Sequence, residues 1–270
     1  MVRIATAAVL APALWVLIKL APPSAFQLAV VVLIAVASWE CYCMLEHRGG
    51  RPFKWLGLAA ALAVVWSFAG RDPHFEVQLP LVLVAGLTVA LAMWRRSEPS
   101  EMLGSSLNTL FPVLFIGLGL AYLVGLRSMP GEDGKDLLLL LFFCVILSDT
   151  AAYYIGGWLG RRPMAPRLSP NKSWEGAAAG LAASVGGGLI AHAWFYQRLP
   201  LEHAVALGLI LGLAGIVGDL AESMIKRAAD VKDSSRLLPG HGGVLDRTDS
   251  LLFAGPILYY YYRLFVQGAA

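Results

Sequence analysis

Charge is what this chain has least of. Of its 270 residues, 14% are charged and 58% hydrophobic, and the mean hydropathy is +0.66, whereas soluble domains carry roughly a quarter charged residues. That scarcity excludes a soluble globular domain: there is too little polar surface to cover a core, a need that a bilayer removes. Cysteine is scarce as well. Cys41, Cys43 and Cys144 form no CxxC pair and no histidine stands at finger spacing, which argues against a zinc finger or dithiol redox centre and leaves them as small lipid-facing or packing residues. The net charge of +3 is small and scattered, with no basic run interleaved with aromatics, so nucleic acid is not expected as a partner. No GxxxxGK[ST] occurs, which excludes a Walker loop. Arg3 opens an apolar run, as a secretory signal would, yet no small-x-small cleavage site precedes a soluble domain, so the first segment is expected to stay in place.

What the chain has in quantity is long apolar runs. About 20 helical residues cross a hydrocarbon core of about 30 Å. Runs of that order, separated by charged or Pro/Gly punctuation, occupy residues 4–20, 24–45, 53–70, 77–94, 107–126, 136–159, 174–196, 201–227 and 250–266. The expected fold class is therefore all-α, a polytopic transmembrane helical protein of about nine spans. Three stretches divide it: 1–100 with about four N-terminal helices, 101–173 with the middle helices and a basic loop, and 174–270 with the C-terminal helices and a polar loop. Basic residues are retained on the cytoplasmic side. With nine spans, Lys19, Arg71, Arg127, Lys135, Arg198 and Arg263 fall on one side and the other fifteen of 21 on the opposite one. The N-terminus and the polar stretch from Asp219 to Asp249 should then be cytoplasmic, in a cell (inner) membrane, with the C-terminus outside. Small-residue spacings, Gly156 with Gly160, Gly176 with Gly180 and Gly208 with Gly212, let helices approach closely, and packing within the chain is favoured over a dimer face. The tryptophans mostly sit near run ends, where interfacial anchors belong.

The eighth run changes character near its end. Asp219, Glu222, Ser223, Lys226 and Arg227 stand at offsets of 0, +3, +4, +7 and +8, one stripe of a helix. Each ionised group at a bilayer centre costs about 2.5 to 3.5 kcal/mol on insertion scales, so such groups line a wet cavity or pair with one another. Snorkelling at the headgroups is an equal reading for Lys226 and Arg227 alone, but it does not account for Asp219 with Glu222.

The following loop, residues 232–249, suits phosphoanhydride chemistry. Gly240, Gly242 and Gly243 let backbone amides approach an anion. Lys232, Arg236 and Arg247 supply positive charge, and Asp246 and Asp249 offer hard oxygen ligands for Mg²⁺. A second polar cluster precedes the seventh run: Asp149 lies inside the sixth run, and the next loop carries Arg167, Ser169, Pro170, Asn171, Lys172, Ser173 and Glu175. Ser173 is a candidate N-cap, which would let free amides and Lys172 meet a phosphate together. An ordinary capped helix start explains Ser173 and Glu175 but not Arg167 and Lys172.

These residues resemble the phosphatidate cytidylyltransferases, also called CDP-diacylglycerol synthases. The family's C-terminal pattern is matched by Ser223, Ile225, Lys226, Arg227, Lys232, Asp233, Ser235, Pro239, His241, Gly242, Gly243, Asp246, Arg247 and Asp249, over 27 contiguous residues without a gap. The segment from Ser169 to Gly176 is similar to the family's Ser-Pro-x-Lys-Ser-x-Glu-Gly. The first 100 residues carry no motif of the family.

The resemblance implies transfer of cytidylyl from CTP to phosphatidic acid at the cytoplasmic face, giving CDP-diacylglycerol and pyrophosphate in phospholipid biosynthesis. It implies Mg²⁺, leaves room for a second metal or a monovalent cation, and suggests a homodimer in membrane lipid. On that basis Asp219 and Asp246 are the expected metal ligands, with Asp149 and Asp249 near them. Lys226, Arg227, Lys232 and Arg247 are expected to clamp phosphates beside Asp233. His241 either contacts the pyrophosphate or holds the glycine turn. Asp149, Arg167, Ser169, Asn171, Lys172, Ser173, Glu175, Glu222, Ser223, Gly242 and Gly243 are expected to bind substrate. Two alternatives stay open at this point: a lipid kinase using CTP as phosphoryl donor and, from another class, a proton-coupled transporter built on Asp149, Asp219 and Glu222. A lipid-binding protein without catalysis would tolerate Asp246→Asn.

Overall fold

The computed structural model describes residues 12–69, 75–235, 237 and 242–267. Among the described residues helices predominate, and the strands form one small hairpin. In order come α1 (residues 12–19), α2 (Pro23–His47), α3 (Lys54–Ala69), α4 (Gln78–Arg95), α5 (Pro99–Pro112), α6 (Gly119–Arg127) and α7 (Asp133–Leu159). After α7 come the strands β1 (Pro163–Ala165) and β2 (Ser169–Ser173), then α8 (Trp174–Trp194), α9 (Leu201–Ala228) and α10 (Leu251–Tyr261). Six helical stretches are long and apolar enough to cross a membrane: Pro23–His47, Gln78–Arg95, Pro99–Arg127, Asp133–Leu159, Trp174–Trp194 and Leu201–Ala228. Lys54–Ala69 and Leu251–Val266 are apolar but shorter. The chain is a multi-pass, all-α membrane protein. The first expected run survives as α1, and its beginning lies outside the described residues.

The helix ends follow local chemistry. Pro23 and Pro99 open α2 and α5 at the first turn, where a missing N–H costs nothing. Gly49, with φ +80°, stops α2, its N–H donating to the Glu46 carbonyl and that of Gly50 to the Leu45 carbonyl. Asp230, with φ 55°, does the same for α9. The span expected at 107–126 is longer than its apolar run, because the helix begins at Pro99 and passes through a π turn, Val113–Leu118, before α6. Pro112 accounts for the irregularity: it donates no hydrogen bond and its ring crowds the carbonyl four residues earlier.

The helices and loops form two compact units, residues 1–128 with 226–248, and residues 129–225 with 249–270. In the first, Tyr42 on α2 donates its hydroxyl to the Thr109 carbonyl of α5 at 2.9 Å and covers Gly57 of α3. In the second, glycines let helices touch. A Cβ on Gly156 would stand 3.3 Å from the Gly176 Cα, one on Gly208 2.6 Å from the Val185 Cα, and one on Gly188 would overlap the Ala204 carbonyl oxygen. The small-residue spacings therefore serve packing within the chain. All eight tryptophans are exposed, from 38% at Trp39 to 83% at Trp158, as anchors in a headgroup belt would be.

Candidate functional site

Each unit carries a cluster of charge. In the second unit the close approach of α9 to the start of α10 creates the first cluster. Gly218 has no side chain, and a Cβ there would overlap the Asp249 carbonyl oxygen, so only glycine lets the two segments meet. Asp219, Glu222 and Asp249 consequently bring one carboxylate oxygen each within 4.8 Å of one another. Glu222 is completely buried. The Asp249 Oδ1 accepts from the Ser250 amide at 2.7 Å. Lys172 reaches the cluster from β2, with its Nζ 2.5 Å from Asp219 Oδ2. Three carboxylate oxygens this close together could hold a divalent cation, and the Lys172 ammonium offsets part of their charge in its place.

The arm bearing Lys172 reads in the sequence as a loop with a turn. It is an antiparallel hairpin in which Pro163 lies opposite Ser173 and Ala165 opposite Ser169. The strands are short and without alternating apolar residues, so no periodicity announces them. A two-stranded ribbon consists of two edges, where Pro163 and Pro170 can sit without breaking a ladder. The Ser173 Oγ accepts from the Gly176 amide at 3.1 Å, as the N-cap reading expected. The Glu175 Oε2 accepts from the amides of Arg161 and Arg162 at 3.1 and 3.2 Å, tying the hairpin's base to the first turn of α8. Glu175 thereby has a local structural task. Arg167 at the hairpin tip and Asn171 are exposed, Ser169 is half-buried, and Asp149 is exposed on α7. Ser173→Ala should destabilise the protein by about 1 kcal/mol, measured as a lower thermal midpoint in detergent, and Ser173→Thr should retain most of it.

The second cluster belongs to the first unit. Asp246, on a 3₁₀ turn at Leu245–Arg247, accepts from Lys226 Nζ at 2.7 Å through Oδ1. Its Oδ2 accepts from the amides of Gly243 at 2.7 Å and Ser234 at 3.0 Å and lies 2.9 Å from the Ser234 Oγ. The Asp246 and Lys226 side chains are 8% and 15% exposed, so the pair is well removed from water. Gly242 has φ +79° and passes so close to Asp246 that a Cβ would overlap Oδ2; both features require glycine.

A residue that the sequence motifs did not single out completes this cluster. Glu40, buried in α2, accepts from the hydroxyls of Ser234 at 3.0 Å and Ser235 at 2.6 Å and from the amides of Val244 at 3.0 Å and Leu245 at 2.9 Å. A Cβ on Gly243 would stand 2.6 Å from both Glu40 carboxylate oxygens and overlap the Ser234 Oγ. Gly243→Ala must therefore push the loop aside, and we expect roughly 100-fold slower turnover in folded protein, measured against thermal stability as control. The signal for Glu40 was present: a carboxylate well inside an apolar helix, away from the helix end where Glu46 sits, is by itself a functional candidate.

Arg48, the residue that follows the last of α2, pairs with Asp230 at 2.8 Å and donates to the Ala228 carbonyl at 2.9 Å, closing the end of α9. Arg227, Lys232, Asp233 and Arg247 are exposed and Ser223 is buried. Arg236, Pro239, Gly240 and His241 lie outside the described residues.

A sequence profile described as the cytidylyltransferase family matches residues 1–265. The chain is similar to the phosphatidate cytidylyltransferase of Haemophilus influenzae, 33% identical over 286 residues covering 96% of this chain and 97% of that protein. It is similar to the one from Bacillus subtilis, 38% identical over 202 residues, 74% of this chain and 73% of that one. The phosphatidate cytidylyltransferase of Brucella suis is 41% identical over 187 residues, 68% of this chain and 65%, just under two thirds, of the relative.

Proposed function

Because the chain belongs to the cytidylyltransferase family, we propose that it is a phosphatidate cytidylyltransferase, joining CTP and phosphatidic acid to give CDP-diacylglycerol and pyrophosphate in phospholipid synthesis. The observation that carries the chemistry is the group of three carboxylates, Asp219, Glu222 and Asp249, with Lys172 against Asp219, in an otherwise apolar chain. Such a group in a protein that works on two anionic substrates is suited to handling phosphate.

A phosphate oxygen of phosphatidic acid attacks the α-phosphorus of CTP, a P–O bond forms there, the bond to the β-phosphate breaks, and pyrophosphate leaves. The nucleophile is already an anion, so no strong general base is required, and catalysis rests on positioning and charge neutralisation. Asp219, Glu222 and Asp249 have the donor chemistry to hold Mg²⁺. Bound there, the ion would offset the negative charge of the triphosphate. Asp246 is also proposed as a ligand, with Asp149 near the metal centre.

Lys226, whose ammonium is held by Asp246 at 2.7 Å, and the exposed Arg227, Lys232 and Arg247 neutralise phosphates. Asp233 and His241 keep their proposed places in the catalytic loop. Lys172, with Arg167, Ser169, Asn171 and Ser173 on the hairpin, meets substrate phosphate, and Ser223, Gly242 and Gly243 shape the loop around it. In this reading α1, Lys54–Ala69 and Leu251–Val266 join the six longer stretches as nine spans, the N-terminus is cytoplasmic, the active site faces the cytoplasm from the inner membrane, and the enzyme is a homodimer.

Purified protein in detergent, supplied with CTP, phosphatidic acid and Mg²⁺, should release pyrophosphate and CDP-diacylglycerol in equal amounts and stop on addition of a chelator. Well-folded protein yielding neither product would refute the assignment.

A further inference from the structure

We propose that Glu40 is a positioning residue for this transfer: from inside α2 it sets the shape of the loop that carries Gly243 and Asp246. The inference rests on the functional reading above. A carboxylate in an apolar span is costly unless its acceptor positions are filled, and here loop residues fill them. The Glu40 Oε1 accepts from the Ser235 hydroxyl at 2.6 Å and the Val244 amide at 3.0 Å. Its Oε2 accepts from the Ser234 hydroxyl at 3.0 Å and the Leu245 amide at 2.9 Å. Each oxygen thus takes one hydroxyl from before the glycine turn and one amide from after it, so a single side chain braces both ends of the loop.

The brace reaches Asp246 by two short routes. Leu245, whose amide Glu40 holds, is its chain neighbour. Ser234, whose hydroxyl Glu40 holds, donates its amide to Asp246 Oδ2 at 3.0 Å, and Asp246 in turn fixes Lys226 at 2.7 Å. Glu40 is 5% exposed and is assigned no contact with substrate; it acts through these partners. The Ser235 hydroxyl and the Val244 and Leu245 amides are donors, and the single Ser234 hydroxyl proton is shared between Glu40 and Asp246 Oδ2 at 2.9 Å, so a side chain with two acceptor oxygens suits the position. A glutamine would turn an NH₂ group toward either the Val244 or the Leu245 amide, donor against donor. An aspartate keeps the charge but is one methylene too short to hold both ends equally.

The test compares wild type with Glu40→Gln, Glu40→Asp and Ser235→Ala. The expected result for Glu40→Gln is a kcat about 100-fold lower, KM for phosphatidic acid within about threefold, and a thermal midpoint only modestly lowered, because the misplacement of the order of 1 Å near the reacting groups costs turnover far more than stability. Glu40→Asp should recover at least about a tenth of wild-type kcat, and Ser235→Ala, which removes one strut, should lie between. A merely structural carboxylate would lower the midpoint and leave kcat and KM of the folded fraction unchanged, and that outcome overturns the proposal. If Glu40→Gln does not fold, the decision passes to the other two: normal kcat in both rejects a positioning role.

Amide hydrogen exchange across residues 242–249 gives a readout independent of turnover. It should be at least about tenfold faster in Glu40→Gln, since a lost buried hydrogen bond changes opening equilibria by about that factor, and unchanged exchange overturns the proposal. Wild-type protein without turnover would sink the functional reading, and the exchange experiment would still decide the role of Glu40.

Discussion

Asp246→Asn is expected to lower turnover by roughly 10³-fold, the upper range for loss of a preorganised electrostatic partner. The substitution keeps shape and volume, so the effect isolates charge and hydrogen-bond polarity. One oxygen of Asp246 faces Lys226, and the other faces the amides of Gly243 and Ser234. An asparagine can offer its oxygen to only one of these sides. If it serves the loop amides, its NH₂ points at the Lys226 ammonium and releases that charge from its place. If it serves Lys226, two amides lose their acceptor. Leaving such donors unsatisfied costs about 1 to 3 kcal/mol, measurable as a lower midpoint, and turnover must fall much further than stability for the catalytic reading to hold.

Asp219→Asn should produce a different signature. It removes one of the three carboxylates of the Asp219, Glu222 and Asp249 group and the anionic partner of Lys172 at 2.5 Å. We expect roughly 10²-fold lower turnover at fixed Mg²⁺, together with roughly a tenfold rise in the Mg²⁺ concentration giving half-maximal rate. Raising Mg²⁺ should recover part of the loss in Asp219→Asn. A full loss of rate with unchanged Mg²⁺ dependence would remove Asp219 from the metal site.

The helical layout was legible because apolar runs of membrane length leave few other structures: backbone polar groups must be satisfied within the segment. The expected run at 136–159 became Asp133–Leu159, and that at 201–227 became Leu201–Ala228. The Asp219 and Glu222 stripe was legible from helical spacing, and Ser173 from capping chemistry. Other features were hidden for physical reasons. The 163–173 hairpin has no apolar alternation to reveal it. The helix that holds the π turn after Pro112 begins at Pro99, ahead of the apolar run at 107–126, where hydrophobicity alone would begin it. The brace between Glu40 and the loop joins residues 194 to 205 positions apart, and nothing local to either partner records it. The general cost of an ionisable group within an apolar span, the ground for singling out Asp219 with Glu222, applies equally to Glu40 and would have flagged it.

The central claim is cytidylyl transfer, and the fate of each phosphorus of CTP tests it most directly. With CTP labelled at the α-phosphorus, phosphatidic acid and Mg²⁺, label should pass into the lipid product. With CTP labelled at the γ-phosphorus, it should leave entirely in pyrophosphate. Transfer of the γ label to lipid, with CDP as the second product, would contradict the account and make the protein a lipid kinase.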